Sequence, residues 1–429
     1  MDNCSACIIL VCQNSGPQTV IVTSSASTNR YATLLALILA GEVIFSLPFH
    51  IPRFFRPTML DTFQLSNTQL GDIFALYGVV ALMSYFPGGV IADRYSARSL
   101  MVASLLATAA GGFYLYTLPG HAGLYALFAY WGLTTILLFW AALIKATREW
   151  GGRDAQGFAF GLLDGGRGLI ASVLATMALF LLSDRMSQSG DSAAAMQAVI
   201  MFYTVTILLG ALLLWYILPS VEPSSKSHVR PNFVLNEPRV WLQAGIVVCA
   251  YCGFKSLDNY GVYAVQVLHM DQVEAAGLNT WASYSRPVAA VVAGLSADYW
   301  RASRVVGSMF LLGALAFLLL GSDAISSMSL TLIIANLMFT FIAVYALRGI
   351  YFSLIEESRV DRRATGSAVG LISVLGFTPD IFFAAITGRI LDANPGVVGF
   401  QHYFTLMAVI CSVGMLLTFL LSRRMARPE

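Results

Sequence analysis

Eight ionisable residues interrupt long apolar runs of this chain: Glu42 in LILAGEVIF, Asp164 and Arg167 in GLLDGGRGL, Lys255 and Asp258 in GFKSLDNYG, Arg286 in YSRPV, Arg348 in ALRGIY and Asp380 in FTPDIF. In hydrocarbon such groups are expensive, and they line cavities or ion and proton paths. Guanidinium and ammonium groups gathered in one place attract an anion, and the arginine fork matches carboxylate or phosphate. Arg286, Lys255, Arg167 and Arg348, with His50 and Arg53, are therefore the expected anion-binding set. Tyr251 and Tyr260, and with them Tyr263 and Trp281, are expected to stack on a sugar ring. Burial disfavours a carboxylate's charge, so Glu42, Asp258, Asp164 and Asp380 are the candidates to carry protons.

The spacing also allows a plainer outcome. Asp164 and Arg167 are three apart on one run, as are Lys255 and Asp258, and each pair can neutralise itself. Glu42 can equally stand permanently paired with one of the arginines. Arg348 can snorkel toward the interface. Arg286 has no acidic residue within its own run and precedes Pro287, so it is the residue most expected to face a cavity.

The elements that must hold these groups follow from composition. The chain has 429 residues, 57% hydrophobic and 11% charged, with a mean hydropathy of +0.72. A water-facing protein carries roughly 25% charged residues. Twelve apolar runs, the first at about 31–52 and the last at about 401–422, approach the roughly 20 residues that a helix needs to cross a bilayer. Lipid cannot satisfy backbone polar groups, so the runs must be helices. The fold class is thus all-α and polytopic, with twelve transmembrane helices. Seventeen of the 25 basic residues fall on the face that holds both termini, against Arg53, Arg56, Arg185 and Arg389 on the other. The positive-inside rule then places both termini in the cytoplasm.

Other functions find little support. The sequence has no phosphate-cradling loop, no metal-ligand spacing and no nucleophile–base pair, and its five histidines are scattered. No enzyme, cofactor or metal is expected, and no basic patch suggests nucleic acid. The net charge of +2 says little about partners. Cys4, Cys7 and Cys12 lie in a tail whose Asp2 argues against a secretory signal. Cys249, Cys252 and Cys411 fall within spans, where packing is the expected role.

One polar motif occurs twice. FPGGVIADRYSARSL, residues 86–100, carries Gly89, Asp93, Arg94 and Arg98; VVAGLSADYWRASRVVG, residues 291–307, carries Gly294, Asp298, Arg301 and Arg304. The second aspartate lies 205 residues after the first (298 − 93), and each copy follows the second span of its half. The same interval sets His50 against Lys255, so Phe49-His50 answers Phe254-Lys255. An internal repeat of this kind places a solute site between two half-bundles. The expected layout is an N-terminal tail 1–30, a six-helix bundle 31–219, a central loop 220–238, a second bundle 239–422 and a tail 423–429.

GGVIADRYSAR resembles the signature between the second and third helices of the major facilitator superfamily, in which Gly89, Asp93, Arg94 and Arg98 match and Ser96 and Ala97 depart. The resemblance covers the whole chain: twelve spans, a central loop and a doubled motif. It implies two pseudo-symmetric bundles and alternating access. It also implies a gating role in which Asp93 pairs with an arginine and with the positive N-terminal end of the eleventh helix near Gly366. REWGGRDAQGFAFGLLDGGRGL, 148–169, and ALRGIYFSLIEESR, 346–359, are similar to the organophosphate and organic-anion branch. That similarity implies a sugar phosphate, sugar acid or other carboxylate as solute, moved with protons or by anion exchange. GLLDGGRGL lacks the proline of antiporter branches, which counts against a drug–proton efflux pump, the alternative. A receptor that keeps the fold without transport is the rival from another class. The remaining expectations are a monomer in contact with membrane lipid, in a bacterial inner membrane.

Overall fold

The computed structural model describes residues 26–151, 156–219, 237–358 and 365–426. Most of the N-terminal tail, most of the central loop and the last three residues lie outside the described residues. Among the described residues, ten helices are long and apolar enough to cross a bilayer. They are α2 (Asn67–Arg94), α3 (Ala97–Tyr116), α4 (His121–Gly151), α5 (Gly161–Ser189), α6 (Ser192–Ile217), α7 (Pro238–Gln266), α9 (Ala302–Leu320), α10 (Leu330–Ile350), α11 (Gly370–Ala393) and α12 (Val397–Ala426). The twelve-helix count is completed by two interrupted elements, α1 (Arg30–Val43 with Ser46–Phe54) and α8 (Gln272–Ser283 with Ser285–Trp300).

The interruptions have chemical causes. Pro48 offers no N–H to the carbonyl four residues back, and its ring crowds that turn; α1 bends by 46° just before it and passes through a wider π-turn, Ser46–His50. Pro287 does the same to Ser283, and α8 breaks at Tyr284. Pro379 opens the second part of α11 after a break at Phe377 and Thr378. In α7 a single tight turn, Leu257–Asn259, replaces the regular helix. Elsewhere the ends are fixed locally: Ser66 and Gln69 cap α2 reciprocally, at 3.2 and 2.9 Å.

Two hydrophobic cores form. One draws on residues 34–218, joined by Ala276 and Ala384, and the other on residues 240–421. The halves meet along α2 and α11. A Cβ added at Gly71 would lie 2.3 Å from the Ala384 carbonyl oxygen, one at Gly78 2.6 Å from that of Asp380, and one at Gly388 2.4 Å from that of Asn67. Only glycine permits such backbone contact, the small-residue packing typical of membrane helices. At the end of this seam Asp392 accepts from the Thr68 amide at 2.6 Å and from Asn67 Nδ2 at 3.1 Å. Arg389 forks onto Asp72 at 2.7 and 3.2 Å.

The close α2–α11 contact thus lies at the end away from the doubled motif. Among the described residues, a Cβ at Gly89 or Gly294 of the motif would meet nothing within 4 Å.

Candidate functional site

Each interruption sets charged or polar side chains into one central cavity. The bend of α1 presents Glu42, His50 and Arg53; α7 presents Tyr251, Phe254 and Lys255; the break in α8 presents Arg286; that in α11 presents Thr378 and Asp380. Arg167 of α5 and Arg348 of α10 complete the charged lining, and the space open to water is about 110 Å³. Half-unwound helices at such a site leave backbone and side-chain polar groups free to meet a solute.

The ion pairs run between helices. Glu42 is 4% exposed and stands between Arg167 Nε and His50 Nε2, both at 3.0 Å. A carboxylate only accepts, so His50 Nε2 carries the proton of that bond. Asp164 pairs with Arg286 at 3.2 Å, not with Arg167. The pairing of Asp164 with Arg167 along one helix, allowed by their spacing, is thus replaced by two contacts to other helices. The Lys255–Asp258 pair does form, at 3.1 Å, but both ends are shared. Asp258 also accepts from Arg53 Nε at 2.5 Å, and Lys255 lies 3.5 Å from Asp380. Asp380 takes the Tyr251 hydroxyl as well, at 3.0 Å.

Five cations (Arg53, Arg167, Lys255, Arg286, Arg348) therefore face four carboxylates (Glu42, Asp164, Asp258, Asp380). Arg348 is the cation left over: its Nε and Nη1 are buried without a hydrogen-bond partner among the described residues. Its guanidinium stacks 4.0 Å from the centre of the Phe254 ring, and Arg53 lies 4.1 Å from the same centre. The other aromatic rings are similarly engaged. Lys255 Nζ is 4.7 Å from the ring centres of Phe49 and of Phe74, and Arg167 approaches Phe45 and Trp140. Rings placed this way stabilise the protein's own cations.

Several expected residues stand elsewhere. Tyr260 is fully buried, bonded to Thr340 at 2.6 Å and packed on Phe341 and Phe404, away from the cavity. Tyr263 packs on Phe400 and Phe404, and Trp281 is 60% exposed. Arg53, expected in the anion-binding set, does line the cavity, whereas Arg56, counted only on the face away from the termini, is drawn into a buried interface. Asp93 and Arg94 are exposed and make no ion pair among the described residues, while the surroundings of Gly366, where the expected latch partner of Asp93 stands, lie outside them. Arg98 stacks on Trp215 at 4.0 Å within the first half. Arg301 and Arg304 are exposed, and the side chain of Asp298 lies outside what is described. Tyr77, Tyr85, Trp140 and Phe377 line the cavity without having been singled out by sequence. The signal for Phe377 was its place two residues before Pro379; the others carry no local mark.

Comparison with known proteins agrees with this architecture. The family model described as Major Facilitator Superfamily matches residues 38–384. The inner membrane protein YihN of Escherichia coli (strain K12) is 27% identical over 93% of this chain and 96% of its own length. The inner membrane protein YqcE of the same organism is 25% identical over the same shares. Among solved structures, a bacterial homologue of the human lysosomal transporter Spinster, in an inward-facing and occupied conformation, superposes with a TM-score of 0.73 at 15% identity, covering 93% of this chain and 98% of that one. The nucleoside transporter NupG superposes with a TM-score of 0.67 at 14% identity, over 93% and 100% of the two chains.

Proposed function

Given that this chain belongs to the Major Facilitator Superfamily, we propose that it carries a small organic anion, a sugar phosphate, sugar acid or other carboxylate, through the cavity described above. It is a multi-pass membrane protein with the fold of a secondary transporter. The observation that carries the anion reading is Arg348. Among the described residues it is the cavity cation without a carboxylate, and two of its buried N–H-bearing nitrogens lack acceptors. A guanidinium enclosed in that condition is costly until an acceptor arrives, and a bidentate carboxylate or phosphate supplies two bonds at once. A cationic drug would instead meet a surplus of positive charge and rings already engaged by arginine and lysine.

Within this reading Arg348 takes the charged head of the solute. Lys255, held between Asp258 and Asp380, is the second contact, and Tyr251 offers a ring face. Asp380 is the carboxylate whose cation is shared, and it also lines the cavity. An anion drawing Lys255 toward itself leaves Asp380 short of positive charge and ready to take a proton. The proton then travels with the solute. Two half-bundles rocking about α2 and α11 alternate access, and the termini lie in the cytoplasm of a bacterial inner membrane.

The test is counterflow in liposomes carrying the purified protein, loaded in turn with glucose 6-phosphate, glucuronate, inorganic phosphate, glucose or a lipophilic cation. Accumulation of an anion and not of glucose or the cation supports the reading. Accumulation of the cation alone overturns it.

A further inference from the structure

Arg56 is a buried cation outside the cavity. It opens the short helix Arg56–Thr62 and is 1% exposed, yet its Nε and Nη2 have no hydrogen-bond partner among the described residues. Asp258 and Asp392 are the carboxylates whose charge reaches it. Both are engaged elsewhere, Asp258 by Arg53 and Lys255, and Asp392 by Asn67 and the Thr68 amide.

The wall around the short helix is polar and equally unmatched. Thr58 Oγ1, Asn259 Oδ1, Tyr263 OH and Asn279 Oδ1 are buried atoms without hydrogen-bond partners among the described residues. They belong to the short helix itself, to the end of α7 and to the first piece of α8, which pack on one another. A Cβ on Gly261 would lie 3.1 Å from Pro57 Cδ and 3.2 Å from Asn279 Nδ2, which ties the three elements to one point. Tyr403 takes a hydrogen bond from Asn259 Nδ2 at 3.3 Å. A guanidinium and several hydroxyl and amide groups buried together without partners describe a site whose partner comes and goes.

We infer that Arg56, on the short helix that packs against the elements carrying Tyr263 and Asn279, is a second anion site, which takes the charged head of the solute when the α2–α11 seam parts and passes it to Arg53, three residues earlier on the chain. The inference rests on the anion reading above. While the seam is closed the site is enclosed, so a solute arriving from the motif's face never reaches it. Once the seam parts, Arg56 stands at the entrance and Arg53, at the cavity, stands next in line.

The test uses the full chain in detergent and titrates glucose 6-phosphate, glucuronate and inorganic phosphate calorimetrically. Gly71→Trp prevents the seam from closing, because even a Cβ there meets the Ala384 carbonyl oxygen at 2.3 Å. Gly388→Trp serves as an independent wedge should the first variant fold poorly. Losing charge-assisted hydrogen bonds, Arg56→Gln is expected to weaken anion binding about tenfold in either wedge background. In the protein without a wedge the change is expected to stay within about twofold, and Arg56→Lys to recover most of the loss, since a point charge remains. Equal weakening in both backgrounds assigns Arg56 to the fold alone and overturns the inference, as does no weakening in either. If the protein without substitutions binds none of the three anions, the anion reading itself falls, and this inference with it.

Discussion

Arg53 Nε donates to Asp258 Oδ1 at 2.5 Å, and the two residues are 205 positions apart, the interval that also separates the two copies of the polar motif. Equivalent positions of the two half-bundles thus meet each other, one with a cation and one with an anion. Breaking a buried pair by removing one partner costs about 3–5 kcal/mol, because the other charge is left alone. Asp258→Asn should therefore destabilise strongly, leaving Arg53 unmatched and Lys255 with Asp380 alone. Because the partners occupy related positions, the exchange Arg53→Asp with Asp258→Arg should recover a large part of the loss. Thermal unfolding in detergent measures both, and an exchange variant no more stable than the worse single variant contradicts the pairing.

Arg286 and Asp164 join α8 to α5 across the cavity at 3.2 Å. Arg286→Ala is expected to lose solute binding and about 1 kcal/mol of stability, since Asp164 loses its partner but is partly reached by water. Adding Asp164→Asn should return most of the stability while binding stays lost. Melting temperatures and titrations on the same preparations separate the two effects. Binding that returns with stability would reduce Arg286 to a structural partner.

Asp380 shares Lys255 with Asp258 and accepts from Tyr251. Asp380→Asn should abolish uptake driven by a pH gradient and leave solute exchange at equal pH within about threefold of normal, since a neutral side chain mimics the protonated acid. Gradient-driven uptake that survives the substitution would move proton carriage to Glu42, whose two partners at 3.0 Å otherwise mark it as a fixed charge.

Asp93 makes no ion pair among the described residues and is exposed, and Gly89 beside it faces open space. A latch at this motif belongs to the state in which its face is closed. Asp93→Asn should then slow transport about tenfold, equivalent to roughly 1.4 kcal/mol, with the melting temperature and solute affinity of the present state unchanged. Wild-type rates in this variant would leave the aspartate no gating role.

Much of the architecture was legible because hydrocarbon is an exacting solvent. Apolar runs of sufficient length must be helices, so the spans and the two halves followed from hydropathy and the repeat. The charged groups of the site were legible for the same reason: Glu42, Arg167, Lys255, Arg286, Arg348 and Asp380 are conspicuous in an oily run, and all of them line the cavity. Their partners were legible only in part: the Lys255–Asp258 pair and an arginine on Glu42 were expected and form. Spacing along one helix suggested Asp164 with Arg167, whereas helix packing sets Asp164 against Arg286 and Arg167 against Glu42. Aromatic side chains posed the reverse difficulty. Tyr260 lies five residues from Lys255, yet the tight turn at Leu257–Asn259 rotates it into the core. Tyr77 reaches the cavity from the middle of α2, a helix with no buried charge to draw notice. Prolines were the most informative signal left unused, since Pro48 and Pro379 mark two of the interruptions from which the site is built.

The most direct measurement is a calorimetric titration of glucose 6-phosphate, glucuronate and inorganic phosphate into the protein and into Arg348→Ala. Among the described residues Arg348 has no carboxylate to abandon, so its removal leaves no charge unpaired and should not lower the melting temperature as the loss of a paired charge does. Binding of the preferred anion should weaken about a hundredfold, the loss of two charge-assisted bonds. Equal affinity in both proteins would contradict the account, because the unmatched guanidinium on which the anion site depends would then hold nothing.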